Sequence, residues 1–171
     1  MNIRKPKFWD LKKPNLTSYL LTPFTLPLII NNFILNKKNK KNNAIKSICV
    51  GNIYIGGTGK TPSTIRLYEI LKKIDPNTCT GKKFYTNHQD ERLLLEKKTN
   101  LISENTREKI IEIAIKNKQK IIIFDDGLQD KNVNYDLKFV CFNSENWIGN
   151  GKLIPAGPLR EKISSLVKYD A

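Results

Sequence analysis

The stretch S-I-C-V-G-N-I-Y-I-G-G-T-G-K-T-P, Ser47 to Pro62, decides how the rest of the chain is read. Ile48-Cys49-Val50 is a short apolar run of the kind that forms a buried strand. Gly51, Gly56, Gly57 and Gly59 follow in a glycine-rich turn, and Lys60-Thr61-Pro62 opens a segment with helical spacing. Strand, glycine-rich loop, Gly-Lys-Thr and helix is the order of a phosphate-binding P-loop. Glycines let backbone N–H groups converge on an anion without Cβ interference. The helix N-terminus adds unpaired donors and the positive end of its dipole. Lys60 would then reach the β- and γ-phosphates, and the Thr61 hydroxyl would face Mg²⁺. One position departs from the usual G-x-x-x-x-G-K-[ST]: Tyr54 stands where the first glycine belongs.

Downstream, Ile65, Leu67, Tyr68, Ile70 and Leu71 continue a helix to about Lys73, and Asp75-Pro76-Asn77 breaks it. Residues 78–92 read as irregular, with short apolar runs at Leu93–Leu95 and Leu101–Ile102. Asn105 or Thr106 is placed to cap a helix reaching about Asn117. Ile121-Ile122-Ile123-Phe124 is an unbroken apolar run, which suits a strand covered on both faces of a parallel sheet. A further strand is expected over Leu137–Phe142, and the tail from Asn146 reads as an ordered loop. Alternating strands and helices predict an α/β fold, a P-loop NTPase-like parallel sheet with flanking helices.

The apolar run ends in Asp125-Asp126-Gly127. Acids at the carboxyl edge of the sheet, beside a P-loop, can hold Mg²⁺; Asp-Gly after a strand is also an ordinary turn. Asp90-Glu91 is either a surface acidic pair or a carboxylate that takes a proton from an attacking hydroxyl. Arg107 is either a solvated helix residue or a guanidinium for phosphate. His88, the single histidine, reads as a polar loop residue. Asn117-Lys118-Gln119-Lys120 resembles the guanine-reading Asn-Lys-x-Asp of GTPases but ends in Lys, so it offers no base specificity.

Upstream of the loop the chain is basic and apolar by turns. Of 171 residues, 30 are Lys or Arg and 16 Asp or Glu. Residues 1–46 hold ten of the cations against the single acid Asp10. Residues 18–35 are the most apolar stretch, yet Pro23, Pro27, Asn31 and Asn32 interrupt it. A bilayer span needs about 20 apolar residues, so an interfacial segment flanked by lysines and Trp9 fits better. A helix packed on the domain's own core is the alternative. Residues 36–46 form a polar basic linker. Cys49, Cys79 and Cys141 show no metal-ligand spacing and no disulfide framework, which favours a reducing compartment. The concentration of charge in an apolar leader, with no recognition motif, argues for an anionic membrane surface and against nucleic acid.

Three blocks carry a family resemblance: V-G-N-I-Y-I-G-G-T-G-K-T-P at 50–62, I-F-D-D-G-L-Q at 123–129 and N-G-K-L-I-P-A-G-P-L-R-E at 150–161. In order and spacing they resemble tetraacyldisaccharide 4′-kinases, whose loop also lacks glycine at the position of Tyr54. The resemblance implies an ATP- and Mg²⁺-dependent phosphotransfer to the 4′-hydroxyl of a tetraacyl disaccharide 1-phosphate lipid A precursor. It implies peripheral attachment at the cytoplasmic face of a Gram-negative inner membrane. Tyr54, Ile55, Gly56, Gly57, Thr58, Gly59, Lys60 and Thr61 would be the ATP loop, with Lys60 also catalytic. Thr61, Asp125 and Asp126 would be the metal residues, Asp90 the catalytic base with Glu91 beside it, and Arg107 a phosphate contact. Residues 1–45 would be the membrane-interfacial leader and linker, and 46–171 the kinase domain. Against the family pattern, an Arg-Gly-Tyr-Gly block is missing before Asp90, Asp130 replaces a histidine, and the family continues well beyond the last block. The C-terminal half of the family fold is therefore expected to be missing. A second reading follows, a degenerate remnant that binds nucleotide or membrane without efficient phosphoryl transfer.

Overall fold

Ile121–Asp125 (β5) is the middle of a five-stranded sheet, as its apolar run requires. The computed structural model describes residues 5–34, 40–41, 44–85, 89–130 and 132–171. Among these, the strands Lys46–Gly51 (β2), Thr78–Lys83 (β3), Leu101–Glu104 (β4) and Leu137–Val140 (β7) join β5 in the order β4-β3-β5-β2-β7. All four pairings are parallel. Two short strands, Lys40–Lys41 (β1) and Val133–Asn134 (β6), pair separately. The register sets Ile48 beside Ile123 and Cys49 beside Phe124. Every residue of β5 after Ile121 is buried, because helices cover both faces.

On one face the helix Lys60–Ile74 (α3) seals Ile48, Val50 and Ile123 with Tyr68, Leu67 and Leu71. On the other, Arg107–Lys116 (α5) packs Ile110, Ile111 and Ala114 on Cys49, Cys79, Ile122 and Phe124. Burying each such large apolar side chain contributes about 1.5–3 kcal/mol. Thr106 caps α5, its hydroxyl accepting from the Lys109 N–H at 3.4 Å.

The expectation of irregular structure over 78–92 is corrected. Residues 78–83 form β3, and Gln89–Lys98 forms a helix (α4) that absorbs the Leu93–Leu95 run. Thr-Cys-Thr-Gly-Lys-Lys lacks an apolar run, but β3 lies between two strands and its backbone groups are paired on both sides. Gly81 is required there by crowding, since a Cβ would lie 2.8 Å from the Phe124 ring and 3.0 Å from Ile110. The last strand stops at Val140, short of Phe142. Cys79 therefore lies in a strand and Cys141 just beyond one; all three thiols are free. His88 lies outside the described residues, as do 35–39, 42 and 43 of the apolar stretch and linker.

Leu16–Leu21 (α1) and Leu26–Ile34 (α2) are joined by a 3-10 turn over Thr22–Thr25. Leu28 and Ile29 pack on Ile53, Tyr54, Leu153 and Leu159. Leu16, Leu20 and Phe24 point outward, 76%, 67% and 67% exposed, so the segment both docks on the core and leaves an apolar face in solvent. Among the described residues no helix is long and apolar enough to cross a membrane. Trp9 is buried against the 150–161 block: its ring N–H donates to the Pro155 carbonyl at 3.0 Å, and its carbonyl accepts from the Asn150 N–H at 2.9 Å.

Candidate active site

The loop after β2 is held open by side chains near in sequence. The buried Asn52 amide donates to the Tyr54 carbonyl at 2.6 Å and to the Thr58 hydroxyl at 3.0 Å. Gly59, at φ +78°, then turns the chain into α3, a left-handed conformation that favours glycine. The 150–161 block braces the outer side. The Ile55 N–H donates to the Pro158 carbonyl at 2.9 Å, and the Arg160 N–H to the Ile53 carbonyl at 2.7 Å.

Beneath the loop lies a cavity of about 890 Å³ at the carboxyl edge of the sheet. Ile55, Gly56, Gly57, Thr58, Gly59, Lys60 and Thr61 line it from the loop, Asp125 and Asp126 from the end of β5, and Glu91 and Arg160 from the rim. That size falls within the usual range for small-molecule sites, about 300–1,000 Å³. Tyr54, expected in the ATP loop, does not line this cavity. Its ring is buried with Ile53 and Leu159, and its hydroxyl bonds Lys5 and Asp10 of the leader. Burial works against Asp10's charge, but Lys5 and the Tyr54 hydroxyl together hold its carboxyl below the usual carboxylate range.

At the cavity floor the Thr61 hydroxyl donates to Asp125 Oδ2 at 2.9 Å. The same oxygen accepts from Lys82 Nζ at 2.6 Å, and Lys82 also donates to Glu91 Oε2 at 2.7 Å. Lys82 and Asp125 side chains are 5% and 0% exposed, Glu91 44%. Burial by itself would lower the Lys82 pKa. Asp125 and Glu91 outweigh it and hold the ammonium above the ordinary lysine value.

Asp125 Oδ1 is buried without a hydrogen-bond partner. With the Thr61 hydroxyl it forms a hard-oxygen pair of the kind Mg²⁺ takes alongside phosphate oxygens. Among the described residues no three His, Cys, Asp or Glu side chains converge on a metal cage. Two oxygen donors are fewer than the roughly six that Mg²⁺ takes, so these residues suit an ion that would complete its shell with other oxygens.

Asp126, at φ +61°, occupies a left-handed conformation uncommon for a residue with a side chain. Its carboxylate meets Arg160 at 3.5 Å. Its carbonyl accepts from Arg107, whose guanidinium also pairs with Asp130. Arg107 is therefore turned from the loop cavity into a neighbouring one of about 420 Å³, shared with Asp126, Asp130, Lys83 and Arg160. Asp130 is the acidic partner of that buried cation. Asp90 sits in the first turn of α4, exposed and outside the cavity lining, while Glu91 reaches the cavity. Lys82, Asn52 and Arg160 are site residues that motif reading missed. Arg160 and Asn52 carried a signal, as parts of the 150–161 and 50–62 blocks, and Lys82 carried none.

A parallel sheet, a glycine-rich loop opening a helix, and a Thr–Asp contact beneath it define an α/β protein of the P-loop class. The chain belongs to the tetraacyldisaccharide-1-P 4'-kinase family (LpxK), whose sequence profile matches residues 20–80 and 75–171. It is 51% identical over 170 residues to the tetraacyldisaccharide 4'-kinase of Pelagibacter ubique (strain HTCC1062), covering 99% of this chain and 54% of that protein. The corresponding protein of Rickettsia rickettsii (strain Sheila Smith) is 35% identical over 176 residues, 91% of this chain and 53% of the relative. The chain thus spans about half the length of these relatives. The fold matches the "apo" form of LpxK from Aquifex aeolicus in complex with ATP with a TM-score of 0.73 at 22% identity, over 91% of this chain and 57% of that one.

Proposed function

We propose that this chain provides the nucleotide-binding part of an ATP-dependent kinase that phosphorylates the 4′-hydroxyl of a tetraacyl disaccharide 1-phosphate lipid A precursor. The observation that carries the reading is the loop cavity with Thr61 bonded to Asp125 at its floor, in a member of this family. Gly56 to Thr61 bind the phosphates through backbone N–H groups, and Lys60 adds a charge-assisted contact. Thr61, Asp125 and Asp126 are the residues that would hold Mg²⁺. When bound, the ion neutralises charge on the β- and γ-phosphates. Asp90, steadied by its neighbour Glu91, accepts the proton of the sugar hydroxyl. The hydroxyl oxygen forms its bond to the γ-phosphorus as the bond to the β-phosphate oxygen breaks, and ADP leaves. Arg160 neutralises phosphate charge at the cavity rim, and Arg107 acts from the neighbouring cavity that the two arginines share.

The leader, residues 1–45, docks on the kinase domain, residues 46–171, and lays Leu16, Leu20 and Phe24 on an anionic membrane surface where the acylated substrate resides. That surface is the cytoplasmic face of the inner membrane. The test is transfer of labelled γ-phosphate from ATP to the disaccharide precursor, with nucleotide affinity measured by calorimetry. Lys60→Ala is expected to weaken ATP about 100-fold, the scale of a charged hydrogen bond. Equal affinity in the two proteins overturns the reading; intact binding without any transfer favours a nucleotide-binding remnant.

A further inference from the structure

Lys82 follows no phosphate motif, yet it is buried at the cavity floor and bonded to two acids. The register of β3 sets Gly81 beside Phe124, so the next residue, Lys82, arrives level with Asp125. The side chain crosses the cavity floor with its ammonium buried, a state lysine adopts almost only when paired. Its two acceptors come from different elements: Asp125 ends β5, and Glu91 lies in the first turn of α4 beside Asp90. Lys82 and Thr61 both load Oδ2 of Asp125, and Oδ1 is left without a hydrogen-bond partner.

We propose that Lys82 is a positioning residue, the internal counter-ion of Asp125, which competes with a divalent cation for that carboxylate and ties the acid-bearing start of α4 to the phosphate site. An ordinary structural ion pair would be indifferent to divalent ions. This one shares its acid with the Thr61 hydroxyl, at the wall of the phosphate cavity. A cation arriving at Asp125 meets an ammonium within 2.6 Å of the same carboxylate, and like charges that close repel strongly in a poorly solvated site. Glu91 gives Lys82 a second acceptor when the cation takes Asp125. The inference rests on the kinase reading only in naming Asp125 as the metal-side acid.

The test uses Mn²⁺ and the nucleotide-free chain, with binding followed by electron paramagnetic resonance. Lys82→Met is expected to tighten Mn²⁺ about tenfold, because the competing charge is gone while Asp125 remains. Lys82→Arg keeps the charge and is expected to stay within about twofold of wild type. Should Lys82→Met fail to fold, the wild-type chain supplies a second readout. The ¹³Cε signal of Lys82, assigned with Lys82→Arg, should shift on titration with Mg²⁺. An unchanged Mn²⁺ affinity in folded Lys82→Met, a Lys82 signal indifferent to Mg²⁺, or no Mn²⁺ binding by any of the proteins overturns the proposal. None of these readouts involves nucleotide or transfer, so the kinase reading stands or falls separately on Lys60→Ala.

Discussion

The floor of the loop cavity and its rim are built on different principles. At the floor, Thr61, Asp125 and Lys82 are buried, Thr61 and Lys82 both donate to Asp125, and each is carried by a strand or helix of the sheet layers. At the rim, Glu91 reaches the cavity while its neighbour Asp90 stays exposed on the first turn of α4, outside the lining, and is tied to the floor only through Glu91 and Lys82. On the proposed mechanism, the difference separates two tasks. Binding phosphate and metal rewards fixed dipoles and charges, which cost nothing to reorganise. A base must instead meet a substrate hydroxyl, and can be placed when that substrate arrives.

Substitutions can break or sharpen this contrast. The largest effect is expected from Asp90→Ala, which should lower phosphate transfer about 10³-fold, within the usual range for a general base. Thermal unfolding should detect almost no loss of stability, about 0.5 kcal/mol at most for an exposed side chain. A large stability loss would place Asp90 among the floor residues. Asp125→Ala should behave in the opposite way, costing about 3 kcal/mol in urea unfolding because Lys82 loses its buried acceptor. A loss under about 1 kcal/mol would show that Glu91 alone suffices to hold the lysine.

The sheet beneath the floor has its own pH signature. Burial pushes the Cys79 thiol up to about 12, and Cys49 higher still. A folded value above the unfolded one, near 8.5, leaves stability whole below that value and removes it as pH rises toward 12. Raising pH from 7 to 9.5 should therefore cost about 1.4 kcal/mol through Cys79, and Cys79→Ala should lose less over the same interval. The smallest effect concerns the leader. Tyr54→Phe removes the hydroxyl bonded to Lys5 and Asp10 and should cost about 1 kcal/mol, with ATP affinity unchanged. A drop in ATP affinity would mean that the leader sets the conformation of the phosphate loop.

Legible from the residues alone were the strand at Ile48–Val50, the glycine loop, the helix after it, the central strand and the acids at its end. Those features are local: an apolar run, a positive-φ glycine and a helix start act within a few residues. The sequence did not reveal β3, because Thr-Cys-Thr-Gly-Lys-Lys becomes a strand through pairing with β4 and β5 rather than through its own apolar pattern. Lys82 was hidden for the same reason. Only its register beside β5 turns one lysine among many into a buried partner of Asp125. Nor could spacing tell that the Tyr54 hydroxyl bonds Lys5 and Asp10 of the leader, or that Arg107 pairs with Asp130. Each of those outcomes depends on which distant chain segment arrives next to the side chain, and the packing of the whole sheet decides that.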